Sequence, residues 1–153
     1  MSVQKVDDII RLVFQSAEAL YLELNRVVKP YNLTFEQWVL LNILVQKDGI
    51  SQKVISEMVH KDQANITRIL RRLSDKGFVE RRDSTKDRRL NLIYITETGR
   101  QILQSLIHVK TTMKDYLYVG FSKEEQVELT TLLEKFLGVV KNNSSKFEYK
   151  VQS

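Results

Sequence analysis

Apolar side chains recur every three or four positions along most of the chain, which is the spacing of amphipathic helices. The first apolar stripe runs through residues 4–28 and stops before Pro30, whose ring disfavours helical backbone at the preceding residue. This stripe is wide. We interpret the helix either as packing on a partner chain or as buried within one chain.

Capping signals divide the next segment into three short helices. Thr34 and Gln37 have the spacing of a capping box, Ser51 precedes a short apolar run, and Asp62 precedes a helix predicted over residues 63–76. The apolar stripe of that last helix is Ile66, Ile69, Leu70 and Leu73. A winding of 100° per residue then places five residues on the opposite face, namely Ala64, Arg68, Arg71, Arg72 and Asp75, with Asn65 and Thr67 flanking it.

Two strand-like runs follow Gly77, separated by the polar turn region 83–88. The second run spans Arg89 to Ile95, and its buried face stays open because Leu90, Leu92 and Tyr94 compete with Ile93 and Ile95. Helices are predicted next over residues 97–119 and from Ser122 to about residue 141. The fold class is therefore mainly α with a small β-hairpin wing. Six helices are expected, with strand, wing and strand between the fourth and fifth.

Positive charge is concentrated in one segment. The chain has 153 residues and a formal net charge of +5. Residues 51–100 contain 12 Lys and Arg against 7 Asp and Glu, whereas the other residues contain 12 of each sign. A solvated basic face explains such a run without any partner, but its concentration on one motif favours a polyanion.

Several function classes are disfavoured by residue types that the sequence lacks. The absence of cysteine rules out disulfides, thiolate zinc sites and thiol redox sensing. His60 and His108 are the only histidines and lie on separate predicted elements, so no metal and no cofactor are expected. Without a Gly-rich phosphate loop or a recognisable Ser-His-carboxylate arrangement, an enzyme is not expected. No apolar run approaches the ~20 residues of a membrane span, and a cytoplasmic location is expected.

The helix over residues 63–76 is the candidate element for reading duplex DNA. A helix fits the major groove, and side chains near its N-terminus then meet base edges. In this chain those side chains are Gln63, Ala64, Asn65, Thr67 and Arg68. Phosphate contacts give affinity without sequence information, and the candidates for them are Ser51, Lys53, Arg71, Arg72 and Arg81. Taken alone, the helix also fits an exposed basic helix that only aids solubility.

The turn between the two strands is the more specific signal. Lys86, Arg88 and Arg89 lie at or beside its tip, and a narrow minor groove attracts an inserted arginine. Asp87 lies two residues before Arg89, from where it can orient the guanidinium through a bidentate ion pair. An ordinary surface salt bridge, worth little, is the alternative interpretation of this pair.

The stretch DQANITRILRRLSDKGFVERRDSTKDRRLNLIYITETGR resembles the multiple-antibiotic-resistance regulator (MarR) family of bacterial transcription factors. The matching motifs are T-R-x-L-x-R-L-x-x-K-G-F-V, the tip Asp87-Arg88-Arg89 and I-T-E-T-G-R. They cover about a quarter of the chain, and the predicted order of helices agrees over nearly all of it.

This resemblance implies a domain organisation and a function. Residues 1–33 would form an N-terminal dimerisation helix, 34–99 the winged helix-turn-helix region, 100–141 the C-terminal dimerisation helices and 142–153 a polar tail. Family members are homodimers that bind palindromic operators, usually as repressors, and many release DNA on binding a small phenolic or lipophilic ligand. By position, Arg68 would read the major groove, and Arg89, oriented by Asp87, would enter the minor groove. The resemblance assigns no ligand residues, because the ligand pockets of the family have no fixed motif.

Three interpretations of function differ in what they require. A sequence-specific, homodimeric repressor of double-stranded DNA accounts for the motif and the charge distribution together. A winged-helix module for protein–protein contact does not need all the excess charge on helix and wing, and a non-specific architectural protein would bind DNA without recovering any sequence. Salt dependence and sequence selection separate the three.

Overall fold

The computed structural model of the chain describes residues 3–83 and 91–143, which are mainly helical with one small antiparallel sheet. A single 3₁₀ turn, Lys29–Tyr31, follows the first helix. The elements, in chain order, are α1 (Val3–Val28), α2 (Phe35–Gln46), β1 (Ile50–Ser51), α3 (Gln52–Val59), α4 (Gln63–Asp75), β2 (Val79–Asp83), β3 (Asn91–Ile95), α5 (Glu97–Ser105), α6 (Ile107–Leu117) and α7 (Lys123–Asn143).

The predicted helix starts are confirmed by hydrogen bonds at their caps. Thr34 and Gln37 form the full capping box, with the Thr34 hydroxyl accepting from Gln37 N at 3.3 Å and Gln37 Oε1 accepting from Thr34 N at 3.1 Å. At α7 the same reciprocal pair joins Ser122 and Glu125, at 2.8 and 3.2 Å. These side chains satisfy backbone donors that a helix leaves unpaired in its first turn, so they fix where each helix begins.

The sheet has the order β1–β3–β2, and both pairings are antiparallel. Ile93 and Ile95 are buried while Leu92 and Tyr94 are half-buried, which settles the face of β3 that the sequence left open. Strand β1 was not predicted. It forms because Gly49, with a φ of +68°, turns the chain after α2 and donates its N–H to Ile93 O at 3.0 Å.

The single helix predicted over residues 97–119 is two helices, so the described chain has seven α-helices rather than six. The break is at Leu106, whose N–H bonds to Leu103 O at 3.1 Å in a three-residue turn instead of continuing the four-residue ladder. Leu106 is completely buried, and Val109 donates to its carbonyl at 3.0 Å. Helix α7 also ends at Asn143, slightly later than predicted.

The chain divides into two compact units, Met1–Val109 and Lys110–Ser153. The first unit has the hydrophobic core, in which α2 contacts α1, α4, α5 and β3. Its completely buried side chains include Leu41 and Leu44 of α2, Ile55 of α3, and Ile66 and Leu70 of α4. This packing holds the face of α4 that carries no charge and leaves the other face in solvent.

The second unit is different, because none of the side chains of α7 is buried. Its exposed apolar residues include Val127, Leu132, Leu133, Phe136 and Leu137. Among residues 3–83 and 91–143, no helix is both long enough and apolar enough to span a lipid bilayer.

Candidate nucleic-acid interface

Helix α4 is amphipathic in the way that the sequence predicts. The side chains of Ile66, Ile69, Leu70 and Leu73 are buried. The opposite face is exposed at Gln63, Ala64, Thr67, Arg68, Arg71 and Arg72, and Asn65 beside it is half-buried. Asp62 caps the helix, since its carboxylate accepts from Asn65 N at 2.8 Å. The predicted base-reading residues therefore lie in the first two turns of one exposed, capped helix.

A tight turn sets the angle between α3 and α4. His60 adopts a left-handed conformation with a φ of +52°, which is uncommon for a residue other than glycine, and ends α3. The Ser56 hydroxyl donates to Lys61 O at 2.5 Å, and Ser56 O accepts from Lys61 N at 3.2 Å. These bonds lock the turn of a helix-turn-helix unit.

Gln52 joins the two helices across that turn, a role that the sequence did not reveal. Its Nε2 donates to Gln63 O at 3.1 Å and to Thr67 Oγ1 at 2.6 Å. The Thr67 hydroxyl in turn donates to Gln63 O at 2.8 Å. Thr67, predicted to meet a base, thus uses its one hydroxyl hydrogen and one of its two acceptor lone pairs within the protein, which leaves one lone pair for a base. No spacing rule links residues 52 and 67, so only the fold brings them together.

Arg68 and Asn65 form a pair on the exposed face of α4. Arg68 Nη2 donates to Asn65 Oδ1 at 3.0 Å. The two residues are three positions apart, so they are neighbours on the helix surface. The sequence placed both side chains in the major groove as separate candidates, whereas the structure joins them.

The candidates for phosphate contacts lie on α4 itself and on three other elements, β1, α3 and β2. The side chains of Lys53, Arg71, Arg72 and Arg81 are exposed. Ser51 is half-buried and uses its hydroxyl to accept from Val54 N at 3.3 Å, which caps α3. A hydroxyl that accepts from the backbone still has a hydrogen to donate, so a phosphate contact from Ser51 is compatible with its capping role.

The predicted tip of the wing, with Lys86, Asp87, Arg88 and Arg89, lies outside the described residues. The strands on either side are paired up to Asp83 opposite Asn91. On the sheet itself, Arg82 forms an ion pair with Glu80, and its guanidinium lies 4.6 Å from the centre of the Tyr94 ring. Arg82 is thereby held on the surface of the sheet.

Asp48 forms hydrogen bonds at the base of the wing, and the sequence did not predict this role. Its Oδ1 accepts from Ile95 N at 2.9 Å, and its Oδ2 accepts from Arg100 Nη2 at 2.5 Å. Asp48 therefore joins the end of α2 to the end of β3 and the start of α5. Since its partners lie about 50 residues away in sequence, no local signal could identify it.

Two cavities border this region, and they share Tyr21 and Glu36. An apolar cavity of about 370 Å³ lies among α1, α2 and α3, and its lining includes Phe35, Val39, Ile43 and Met58. A polar cavity of about 210 Å³ lies between the start of α2 and the recognition face, where Asn65, Arg68 and Arg72 line it.

The shared residues are hydrogen-bonded to each other, because Tyr21 Oη donates to Glu36 Oε1 at 2.6 Å. This bond is the main reason that the pKa of Tyr21 is raised. Burial of Glu36 opposes its charged form, yet the bond from Tyr21, its own backbone N–H, Thr34 and the charge of Lys61 together lower its pKa. Glu36 is thus a carboxylate at neutral pH, in the wall common to both cavities.

Within residues 3–83 and 91–143, no three His, Cys, Asp or Glu side chains lie close enough together to hold a metal ion. His108 instead lies 3.1 Å from Tyr31, measured from Nε2 to Oη.

Comparisons with known proteins agree on one family. The model of the MarR family matches residues 33–90. An uncharacterized HTH-type transcriptional regulator of Bacillus subtilis, YdgJ, is 32% identical over 136 residues, which are 84% of this chain and 82% of that protein.

Solved structures give the same result. The transcriptional regulator SlyA superposes with a TM-score of 0.82 at 25% identity, over 92% of this chain and 99% of that chain. A mutant MarR from E. coli complexed with operator DNA has a TM-score of 0.82 at 25% identity, over 90% of this chain and 99% of that chain.

Proposed function

The chain belongs to the MarR family and is a DNA-binding transcriptional regulator, not an enzyme, and from that premise we propose that it is a homodimeric repressor of a palindromic operator, released by a small ligand. One observation carries the proposal: the exposed face of α4. Three arginines, Arg68, Arg71 and Arg72, project there from a helix whose opposite face is buried in the core.

Each part of the surface has a distinct role in this proposal. Residues of the first two turns of α4 meet base edges in the major groove, and these are Gln63, Ala64, Asn65, Thr67 and Arg68. Ser51, Lys53, Arg71, Arg72 and Arg81 contact phosphates, which fix register and supply salt-dependent affinity. Arg89, oriented by Asp87 and flanked by Lys86 and Arg88, enters the minor groove.

The homodimer is supported by apolar surface that a single chain leaves in water. Phe14 of α1 is 72% exposed and Val127 of α7 is 68% exposed, and each belongs to a longer run of exposed apolar residues. A folded chain rarely leaves such large apolar patches in solvent unless a partner covers them. A two-fold dimer also matches a palindromic operator, whose half-sites lie about 34 Å apart.

Ligand control is supported by the apolar cavity among α1, α2 and α3. Its volume of about 370 Å³ suits a small aromatic molecule, and its lining by Phe35, Val39 and Met58 suits a phenolic or lipophilic one. Its wall includes the Tyr21–Glu36 pair, which also lines the cavity that borders Arg68. A ligand that prefers a different position of this pair would lower DNA affinity through its differential binding to the two states.

The test is a fluorescence-anisotropy titration of the full chain against a randomised duplex pool at low and moderate salt, followed by sequencing of the bound duplexes. Recovery of a palindrome with half-sites about one helical turn apart supports the proposal. Binding at low salt that selects no sequence would indicate an architectural role instead, and absence of binding at both salts would contradict the proposal.

A further inference from the structure

The contact between Asn65 and Arg68 bears on which base the recognition helix reads. Two interpretations are possible on general grounds: Asn65 pairs with adenine by itself, or it serves Arg68. The first requires the amide oxygen to accept from adenine N6 while the amide nitrogen donates to N7. In the structure the same oxygen, Oδ1, accepts from Arg68 Nη2 at 3.0 Å.

We propose that Asn65 positions Arg68, and that the two side chains together read a single guanine in each half-site. This inference rests on the proposed function and names a specificity-determining residue within it. Arg68 has five N–H donors, so the bond to Asn65 leaves more than the two donors that guanine O6 and N7 require.

Asn65 is well suited to this role because its own backbone is fixed. Its N–H donates to the Asp62 carboxylate at 2.8 Å, which closes the cap of α4. The cap therefore fixes the backbone of Asn65, and the Asn65 amide in turn positions the guanidinium of Arg68. An arginine side chain without such a partner loses much of its rotamer freedom on binding, and that loss weakens recognition.

The polar cavity that the pair lines gives a second reason for the bond between Asn65 and Arg68. Glu36, a carboxylate, lines the same polar cavity of about 210 Å³ as Arg68 and Arg72. In this proposal, the bond to Asn65 competes with the attraction of the Arg68 guanidinium to that carboxylate.

The experiment uses the operator recovered by selection and measures a discrimination ratio. For each G·C pair of one half-site, the ratio is the Kd for the duplex with A·T at that position divided by the Kd for the unchanged duplex. Wild-type protein should show one position with a ratio of roughly 5–150, which is the range expected for one bidentate pair. Arg68→Ala should lower the ratio at that position to near unity.

Two variants of Asn65 then separate the interpretations. Asn65→Ala should lower the ratio at that guanine to near unity, whereas Asn65→Asp should retain it, because a carboxylate oxygen still accepts from Arg68. Each ratio compares two duplexes that bind the same variant, so the general repulsion between the new charge and DNA affects both Kd values alike and cancels. Ser74→Ala, at an exposed position of the same helix to which no DNA contact is assigned, should leave the guanine ratio unchanged.

The opposite pattern overturns the inference. If Asn65 reads adenine by itself, Asn65→Ala spares the guanine and removes discrimination at an A·T pair, and Asn65→Asp does the same because a carboxylate cannot donate to N7. Thermal melts of each variant identify any loss of folding. Failure of wild-type protein to select a sequence counts against the proposed function, whereas wild-type selection with an unchanged guanine ratio in Asn65→Ala counts against this inference alone.

Discussion

Gly99 is the residue where the first turn of α5 crosses the backbone at Phe78. A Cβ at this position would lie 2.2 Å from Phe78 O and 2.8 Å from Ile95 Cγ1. That carbonyl already accepts from Thr96 N at 3.0 Å, so the added methyl group would push apart the exit of α4 and the start of α5. Gly99→Ala should therefore lower the free energy of unfolding by about 1–3 kcal/mol, as overpacking does.

Urea denaturation at one fixed protein concentration measures this change, since association would otherwise shift the midpoint. Thr98→Ala is the matched control, because Thr98 is exposed on the same turn and its replacement should change stability by less than about 0.5 kcal/mol. Equal stability of Gly99→Ala and the control would show that α5 can move away from Phe78 without cost.

Lys76 joins two elements that sequence order keeps apart: the connection between α1 and α2, and the end of α4. Its Nζ donates to Asn32 O at 2.5 Å and to Gln37 Oε1 at 3.0 Å. Burial, with a further contribution from the charge of Arg72, lowers the pKa of Lys76. Gln37 is itself buried, and its amide oxygen also closes the capping box of α2.

Lys76→Met should lower the free energy of unfolding by about 0.5–1.5 kcal/mol, because it removes the hydrogen bonds that Lys76 donates to Asn32 O and Gln37 Oε1. Urea denaturation with Lys47→Met as control measures the effect, since Lys47 is exposed and its charge is the same. A smaller loss in Lys76→Met than in the control would mean that water replaces the lysine at both acceptors.

At the scale of elements, the sequence predicts well wherever the cause is local. The caps at Thr34, Ser51 and Asp62 depend on residues three positions apart, and the structure confirms each. The same holds for the buried stripe of α4, which periodicity alone identifies. The break at Leu106 was missed because the apolar pattern continues through it and no Gly or Pro marks the turn.

The candidate site shows the same division between local and distant causes. Helical winding correctly predicts that Arg68, Arg71 and Arg72 are exposed. The partners that orient the site lie farther away in sequence: Gln52 is 15 residues from Thr67, and Asp48 is 52 residues from Arg100. Polar contacts across a fold obey no spacing rule, so they follow only from the coordinates.

At the scale of the whole molecule, α7 leaves too much apolar surface in water for an isolated chain. Leu133 is 51% exposed, and no side chain of α7 is buried. Leu133→Glu should therefore convert the proposed dimer to monomers while helix content is retained, because a charge would have to be desolvated in an apolar interface. Sedimentation velocity measures the change in mass, and circular dichroism measures the helix content.

Lys135→Glu is the matched control, since it introduces the same residue on the opposite face of the helix. This variant should remain dimeric. Monomers of Leu133→Glu should also lose the steep preference for a two-half-site duplex over a single half-site, because each recognition helix would then bind alone. A dimeric Leu133→Glu would exclude this part of α7 from the interface.

Ligand control, as proposed, requires that the apolar cavity be open when a ligand arrives. Val39 lines that cavity, and Val39→Phe should fill part of its volume of about 370 Å³ without touching the exposed face of α4. Operator affinity should then stay within about threefold of wild type, whereas release of DNA by a panel of substituted phenols should be lost. Val45→Phe on the exposed side of the same helix is the control and should respond like wild type.

Two readouts together separate the cavity from any other route of release. Anisotropy of labelled operator reports DNA release, and the thermal midpoint of the free protein reports ligand binding, since a ligand that binds only the folded state raises it. Loss of both responses in Val39→Phe identifies the cavity as the ligand site. If the phenols still release DNA from Val39→Phe as they do from wild type, they act elsewhere, and the Tyr21–Glu36 wall does not couple this cavity to Arg68.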